Sequence, residues 1–271
     1  MATFETQGRS LYYEEHGQGF PLIVLNGIFM SCASWYAFIP SFAEHCRLIL
    51  LDMLDQGKSA KMDSEYTQAI QVDATIALMD HLGLEAADFL GISYGGEVAM
   101  RLAAQYPTRA RKLVLSNTTA YTSPWLKDIG HSWEYAFASG DGRQFFKTCI
   151  PIVYSPGFYE RNYAWASARE AIFTKFFGKD IYDAFARLTR SAEGHDCRNV
   201  LKDITAKTMV ISSELDFVTP PNEQAALVAA IPGAAHVRIE GAGHAVMYEK
   251  PEAFAAIVLG FLLTGGDIRV L

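Results

Sequence analysis

Apolar residues along this chain alternate between short continuous runs and stretches with helical spacing. The short runs predict β-strands at residues 10–16, 22–25, 47–52, 87–92, 111–116, 208–212 and 235–239. The helical spacing predicts helices at residues 33–43, 67–82, 96–106, 221–231 and 252–263. Pro40 is expected to bend the first of these helices. Strands that alternate with helices imply an α/β fold with a parallel sheet and right-handed crossovers.

Residues 118–195 interrupt this alternation. They show no strand pattern and predict several short helices and turns, which is typical of a cap inserted into a compact domain. We therefore expect a core formed by residues 1–117 and 196–271, and a helical cap formed by residues 118–195. Seventeen aromatic residues lie between Tyr121 and Phe185. Most are expected to pack the cap onto the sheet, and a minority to line an apolar substrate pocket.

Composition and charge narrow the classes of function. The 271 residues are 50% hydrophobic and carry a formal net charge of -7, which suits one large domain. The acidic balance and the scattered basic residues argue against nucleic-acid or anionic-membrane partners. No segment reaches the roughly 18 apolar residues that span a bilayer, and the N-terminus lacks a signal-peptide pattern. We expect a cytoplasmic protein without membrane insertion.

The cysteines indicate no metal or disulfide chemistry. Cys32, Cys46, Cys149 and Cys197 are widely spaced, and this spacing matches neither a zinc site nor a disulfide framework. Nothing in the sequence indicates a metal or an organic cofactor.

The sequence GISYGG at 91–96 lies between a predicted strand and a predicted helix. In a G-x-S-x-G turn of this kind, the serine occupies a strained conformation, and glycines at the flanking positions avoid steric clashes. The turn presents the serine at the carboxyl end of the sheet, and the following helix directs its positive N-terminus toward the site. The pattern predicts Ser93 as a nucleophile.

A serine nucleophile needs a general base, and the expected chain order is serine, acid, histidine. Among the later histidines, His195 precedes the strand at 208–212 and His236 lies within a strand. His244 follows the last predicted strand in the glycine-rich sequence EGAGH, which favours it as the base.

The acid is expected after a strand between the serine and the histidine. Asp216 follows the strand at 208–212 and is the preferred residue. Glu214 lies two positions closer to that strand, and Asn117 follows the preceding strand. Both remain alternatives, although a neutral amide would stabilise an imidazolium less than a carboxylate.

The sequences GISYGG, SSELDFVTP and EGAGH together resemble the α/β-hydrolase superfamily over nearly the whole chain. The resemblance implies a mostly parallel eight-stranded sheet flanked by helices, with a helical cap inserted after the sixth strand. It also implies an oxyanion hole made by the backbone amides of Tyr94 and Ile28. Substrate contacts are expected from residues of the oxyanion loop, the cap and the acid loop, namely Asn26, Phe29, Trp125, Trp133 and Val218.

Two segments depart from the family pattern. Most relatives have His-Gly where this chain has Asn26-Gly27, and the segment 52–59 replaces a run that often carries an arginine and glycines. With Ala33-Ser34-Trp35, these segments are similar to a branch of acyltransferases that joins two 3-hydroxyacyl chains from acyl carrier protein into a rhamnolipid precursor. Hydrolysis and acyl transfer share an acyl-enzyme and differ in whether water or an alcohol attacks it.

Three hypotheses follow for the function. The first is a serine hydrolase acting on a carboxylic ester, thioester or lactone with an apolar acyl group. The second is an acyltransferase that passes a 3-hydroxyacyl group from a thioester of acyl carrier protein or coenzyme A to an alcohol. The third is a non-catalytic ligand-binding receptor on the same fold.

Overall fold

A mostly parallel sheet forms the centre of the computed structural model, which describes residues 2–176 and 178–264. Within these residues the eight strands are β1 (Ala2–Thr6), β2 (Arg9–His16), β3 (Pro21–Leu25), β4 (Arg47–Leu51), β5 (Ala87–Ile92), β6 (Ala110–Ser116), β7 (Lys207–Ser213) and β8 (Ala235–Ile239). They lie in the order β1-β2-β4-β3-β5-β6-β7-β8. β2 runs antiparallel to both of its neighbours, and the other neighbouring pairs are parallel.

Helices cover both faces of the sheet. They are α1 (Ile39–Ala43), α2 (Ala69–His81), α3 (Tyr94–Gln105), α4 (Pro124–Ala138), α5 (Gly142–Cys149), α6 (Pro156–Arg161), α7 (Tyr163–Phe176), α8 (Lys179–Ser191), α9 (Pro221–Ala230), α10 (Val246–Glu249) and α11 (Pro251–Leu263). Alternate residues of β3 enter different clusters: Ile23 and Leu25 pack on one face, and Leu22 and Val24 on the other. This burial on both faces explains why the central strands are continuous apolar runs.

The predicted strands are confirmed, and β1 is an additional strand that the apolar pattern did not indicate. The predicted helix at 33–43 is wrong. A 3₁₀ turn covers Cys32–Trp35, and α1 begins only at Ile39, with Pro40 in its first turn. Proline lacks the N–H that a continuous helix needs and clashes with the preceding turn, so it starts a helix more readily than it continues one.

Helices α4–α8 lie between β6 and β7 and form the helical cap that the family resemblance implies. The two chain segments that lead into and out of the cap pair with each other. Tyr121 and Asp196 form an antiparallel bridge, and the N–H of Cys197 donates to the carbonyl of Ala120 at 2.7 Å. This pairing lies close to the limits, 118 and 195, that the sequence predicts for the cap.

A buried ion pair connects the cap to the core. Arg187 of α8 donates from Nη2 to Oδ1 of Asp55 at 2.7 Å and from Nε to Oδ2 at 3.0 Å. The Asp55 side chain is fully buried and the Arg187 side chain is 14% exposed. The charged hydrogen bonds to Asp55 raise the pKa of Arg187, against the opposing effect of burial. None of the helices in residues 2–176 and 178–264 is long and apolar enough to cross a membrane.

Candidate active site

The turn between β5 and α3 holds Ser93 in a backbone conformation that side chains rarely adopt. Ser93 has φ 51° and ψ -118°, and its N–H donates to the carbonyl of Ser116 at 3.0 Å. A Cβ added to Gly91 would lie 2.6 Å from the carbonyl oxygen of Gly95, and one added to Gly95 would lie 2.0 Å from that of Leu25. Close backbone contacts on both sides therefore require these glycines, and the strained turn places Ser93 at the carboxyl end of β5.

His244 and Asp216 form a buried hydrogen-bonded pair in the loops that follow β8 and β7. His244 Nδ1 lies 2.9 Å from Oδ2 and 3.0 Å from Oδ1 of Asp216. An ionised carboxylate can only accept, so Nδ1 carries the hydrogen and Nε2 of the neutral ring is left as an acceptor. This is the tautomer that a general base beside a serine requires.

The carboxylate of Asp216 is surrounded by donors. Asn117 Nδ2 and Thr219 Oγ1 donate to Oδ2 at 2.8 and 2.9 Å, and the N–H groups of Val218 and Thr219 donate to Oδ1 at 2.9 Å. Burial by itself would raise the pKa of Asp216, but the charge and hydrogen bond of His244, with these other donors, outweigh burial and lower it. Asp216 therefore stays ionised beside the imidazole.

The alternative acids and bases have other partners. Glu214 is partly exposed and accepts a hydrogen bond from the N–H of Gly241 at 3.0 Å. Asn117 supports Asp216 rather than replacing it. His236 bonds to a serine of β7 at 2.8 Å. In this arrangement, Asp216 is the acid in contact with His244.

Ser93 and His244 line the same cavity, which we call the larger cavity, with a volume of about 120 Å³. No direct hydrogen bond joins the two side chains among the described residues. The other lining residues are mainly apolar and include Phe29, Met30, Trp133, Phe146, Ile150 and Val153, with Arg169 as a charged exception. Arg169 lies over the ring of Trp165, at 4.3 Å from its centroid.

A smaller cavity, of about 50 Å³, lies on another side of Ser93. Ile28, Ser93 and Trp133 line both cavities. The remaining lining residues of the smaller cavity more often carry polar side chains, namely Glu97, Thr122, Lys127, Thr189, Glu193 and Thr219, although most of its lining surface is apolar as well. The described residues therefore provide Ser93 with two neighbouring cavities, and polar side chains are more frequent in the lining of the smaller one.

The two predicted oxyanion donors lie beside Ser93. Tyr94 is the first residue of α3, so its N–H has no acceptor within the helix. Ile28 lies in the loop after β3, where Gln56 Nε2 donates to the carbonyl of Gly27 at 2.9 Å. This arrangement is consistent with the predicted oxyanion hole, which stays a prediction.

The predicted substrate contacts divide into two groups. Phe29 and Trp133 line the larger cavity, with ring centroids 4.9 Å apart, and Val218 lines the smaller one. Asn26 and Trp125 line neither of these two cavities, and their substrate contact stays a prediction.

The side chains of Asn26 and Trp125 have other roles. Asn26 is 1% exposed. It donates to the carbonyl of Leu51 and accepts from Trp35 Nε1, both at 2.8 Å. These two bonds hold the loop that follows β3 in place. Trp125 is 57% exposed and donates to the carbonyl of Phe217 at 2.9 Å. In this structure both side chains are bonded to protein groups outside the two cavities.

Sequence reasoning missed Glu97 and Arg169. Glu97 had a detectable signal, because it is a charged residue one helical turn after Ser93 in a mainly apolar helix. Arg169 had none, because the packing of the cap helices decides which of their side chains reach the cavity. In the described part of the chain, no group of three or more His, Cys, Asp or Glu residues is arranged to hold a metal ion.

Comparison with known proteins identifies the family. The family model of the alpha/beta hydrolase fold matches residues 21–251. Among curated proteins, a 2-hydroxymuconate semialdehyde hydrolase of Pseudomonas sp. (strain CF600) is 26% identical over 259 residues, covering 92% of this chain and 88% of the relative.

Solved structures agree with this result. The alpha/beta hydrolase MGS-M2, from a Medee basin deep-sea metagenome library, is 41% identical with a TM-score of 0.95, covering 100% of this chain and 99% of that one. A thermophilic esterase from Thermogutta terrifontis is 26% identical with a TM-score of 0.82, covering 96% of each chain. The family match spans most of the chain. The chain therefore belongs to the α/β-hydrolase fold family and is an enzyme of that family.

Proposed function

We propose that the protein is a serine hydrolase that cleaves a carboxylic ester, thioester or lactone with an apolar acyl group through an acyl-enzyme on Ser93. One observation carries the proposal. Ser93 lies on a strained turn in the same cavity as His244, and His244 Nδ1 is bonded to the buried, ionised Asp216. A nucleophile, a base and an orienting acid are the elements that acyl transfer requires.

The proposed reaction has two steps. In acylation, Ser93 Oγ bonds to the acyl carbonyl carbon, and its proton passes to His244 Nε2. His244 then gives that proton to the leaving oxygen or sulfur as its bond to the acyl carbon breaks. In deacylation, His244 accepts a proton from water, the hydroxide oxygen bonds to the acyl carbon, and Ser93 Oγ leaves with the proton. The N–H groups of Tyr94 and Ile28 would bind the carbonyl oxygen when it carries negative charge.

The lining of the larger cavity supports the proposal that the acyl group of the substrate is apolar. Phe29, Trp133 and Phe146 provide aromatic surface beside Ser93, and burial of an acyl chain against such surface contributes about 25 cal/mol for each Å² removed from water. The similar proteins named above, a hydrolase and an esterase, are consistent with hydrolysis.

The test is a panel of p-nitrophenyl acyl esters, acyl thioesters and lactones with wild type, Ser93→Ala and Ser64→Ala. Ser64 lies in an exposed loop, so its substitution is a matched control. Ser93→Ala should lower kcat by about a thousandfold or more, while Ser64→Ala should leave it unchanged and both variants should keep the wild-type Tm. Turnover retained in Ser93→Ala would refute the proposal.

The acyltransferase and receptor hypotheses stay predictions, and the same panel separates them. Free acid released from hydroxyacyl thioesters indicates hydrolysis, and a dimeric acyl product detected by mass spectrometry indicates transfer to an alcohol. Failure of a fluorophosphonate probe to label Ser93, together with no turnover, would indicate a receptor.

A further inference from the structure

Glu97 is a buried carboxyl group beside the proposed nucleophile. It lies in the first turn of α3 and is 4% exposed. Its N–H donates to the carbonyl of Ser93 at 3.2 Å, and the residue lines the smaller cavity together with Ser93. The catalytic steps proposed above do not use it.

A chain of hydrogen bonds determines which oxygen of Glu97 faces a donor. The carbonyl of Thr119 can only accept, so His195, at 3.0 Å, donates to it from Nε2 and its Nδ1 is an acceptor. Burial lowers the pKa of His195 to about 4, which agrees with a neutral ring. Arg101 Nε can only donate, and it is shared between His195 Nδ1 at 3.3 Å and Gln68 Oε1 at 3.1 Å.

The orientation of Gln68 follows from this chain. Since its Oε1 faces Arg101, its Nε2 faces Glu97 and donates a short hydrogen bond to Oε2. Glu97 Oε1 has no hydrogen-bond partner among the residues that the structure describes. A proton on this carboxyl group therefore belongs on Oε1, because Oε2 is already an acceptor.

The surroundings favour the protonated form. Burial raises the pKa of Glu97 to about 8, against the opposing effects of the Gln68 hydrogen bond and the positive charge of Arg101. The charged, titratable and polar groups around it come from several elements: Arg101 and Tyr94 of α3, Gln68 before α2, Lys127 of α4, Thr189 of α8, and Glu193, His195 and Cys197 after α8. A neutral carboxylic acid in such a place is a hydrogen-bond donor.

We propose that Glu97 is a specificity residue whose carboxylic acid donates a hydrogen bond from Oε1 to an oxygen atom of the leaving alcohol bound in the smaller cavity. The inference rests on the proposed serine-hydrolase function and refines it. The larger cavity takes the acyl group, and the smaller cavity, which Glu97 lines, takes the leaving group. The favoured substrates are then esters or lactones whose alcohol part carries an ether, hydroxyl or carbonyl oxygen.

A matched pair of substrates isolates this contact. Butyl butanoate and 2-methoxyethyl butanoate have alcohol parts of equal length, and one CH₂ of the first is an ether oxygen in the second. Both form the same butanoyl-enzyme. The leaving group departs during acylation, so a contact with it affects kcat/KM, whereas deacylation of the common intermediate is identical for both esters.

Two variants of Glu97 separate the donor role from a structural one. Glu97→Gln keeps the shape and can present an amide N–H to the cavity, and it does not titrate. Glu97→Met keeps similar length and removes the donor. The preference is defined as kcat/KM for the methoxyethyl ester divided by that for the butyl ester, which cancels effects common to both substrates.

The expected preference at about pH 6 is about fivefold higher in wild type than in Glu97→Met, the effect of one hydrogen bond. Glu97→Gln should lie within about twofold of wild type. As the pH rises through the pKa of about 8, the wild-type preference should fall toward that of Glu97→Met, while the Glu97→Gln preference stays constant. A pH-dependent loss of activity that is common to both esters cancels in this ratio.

Several results would overturn the inference. Equal preferences in all three proteins would mean that Glu97 does not contact the leaving group, even if the variants lose activity or Tm. A decline with pH that persists in Glu97→Gln would assign the titration to another group. Glu97→Met could instead alter the ratio of kcat/KM values for pentanoyl and 3-methoxypropanoyl esters of one alcohol. The acyl group would then bind in the smaller cavity and the leaving group in the larger one. Loss of the proposed function is distinguishable, because turnover would then survive in Ser93→Ala.

Discussion

Replacing Arg187 by leucine should remove the buried connection between the cap and the core. The guanidinium makes two hydrogen bonds, of 2.7 and 3.0 Å, to the fully buried carboxylate of Asp55. After Arg187→Leu, Asp55 keeps a hydrogen bond from the N–H of Met62 at 2.9 Å, but its charge has lost its ion-pair partner. Breaking a buried pair from one side costs about 3–5 kcal/mol of unfolding free energy.

This free energy converts into a measurable change in Tm. Unfolding entropy is about 2.1 cal/mol/K per residue, or roughly 0.57 kcal/mol/K for this chain of 271 residues. The predicted loss therefore lowers Tm by about 5–9 °C. Urea unfolding, followed by circular dichroism at neutral pH, measures the free energy directly.

Arg190 provides a matched control on the same helix. Its side chain is 38% exposed and pairs with Glu65 at 2.7 Å and Glu134 at 2.9 Å. Exposed pairs contribute little, so Arg190→Leu should cost about 1 kcal/mol for both together, or about 2 °C. Equal losses in Arg187→Leu and Arg190→Leu would refute the reasoning. Asp55→Asn added to Arg187→Leu should recover part of the loss, because it removes the unpaired charge.

Further changes test the proposed site and its pH dependence. Asp216→Asn should lower kcat by about a thousandfold, because the amide no longer holds His244 in the required tautomer; steady-state kinetics measures it. Gly95→Ala should prevent the native fold, because its Cβ would lie 2.0 Å from the carbonyl oxygen of Leu25; circular dichroism detects the loss. Relative to Glu97→Gln, wild type should lose stability as the pH rises from about 4.5 to about 8, because the folded carboxyl holds a proton that the unfolded chain releases. Urea unfolding across that range should show at most about 1.4 kcal/mol per pH unit.

Two control variants make these results specific. Glu214→Gln changes the exposed carboxyl near Asp216 and should leave kcat within about twofold, since it does not contact His244. Gly260→Ala has nothing within 4 Å of the added Cβ and should keep or raise Tm, as alanine is favoured in a helix. A large kcat loss in Glu214→Gln, or a native fold in Gly95→Ala, would contradict the site geometry.

Local patterns in the sequence were sufficient for most of the secondary structure and for the nucleophile turn. A parallel strand buried on both faces must be continuously apolar, so β4, β5 and β7 are visible as runs of such residues. The GISYGG turn is recognisable because only glycine fits next to the backbone of neighbouring strands. These constraints act over a few residues, and the sequence contains them in full.

Contacts between distant segments decided which polar side chains meet at the candidate site. Asp216 and Glu214 share one loop, and only the position of His244, in another loop, distinguishes them. Asn26 was expected to contact substrate because of its place in the loop, but Trp35 and Leu51 occupy both ends of its amide.

Contacts between distant segments also decided the surroundings of Glu97 and the interruption of the predicted helix at 33–43. The tertiary structure places Glu97 beside the smaller cavity and surrounds it with Gln68, Arg101 and His195, from three parts of the chain. The predicted helix breaks where Trp35 enters the core, and α1 begins only at Ile39, with Pro40 in its first turn. Periodicity and turn chemistry are local properties, so the sequence alone determines them. The partner of a polar side chain depends on which distant segments fold against it, and only the tertiary structure decides that.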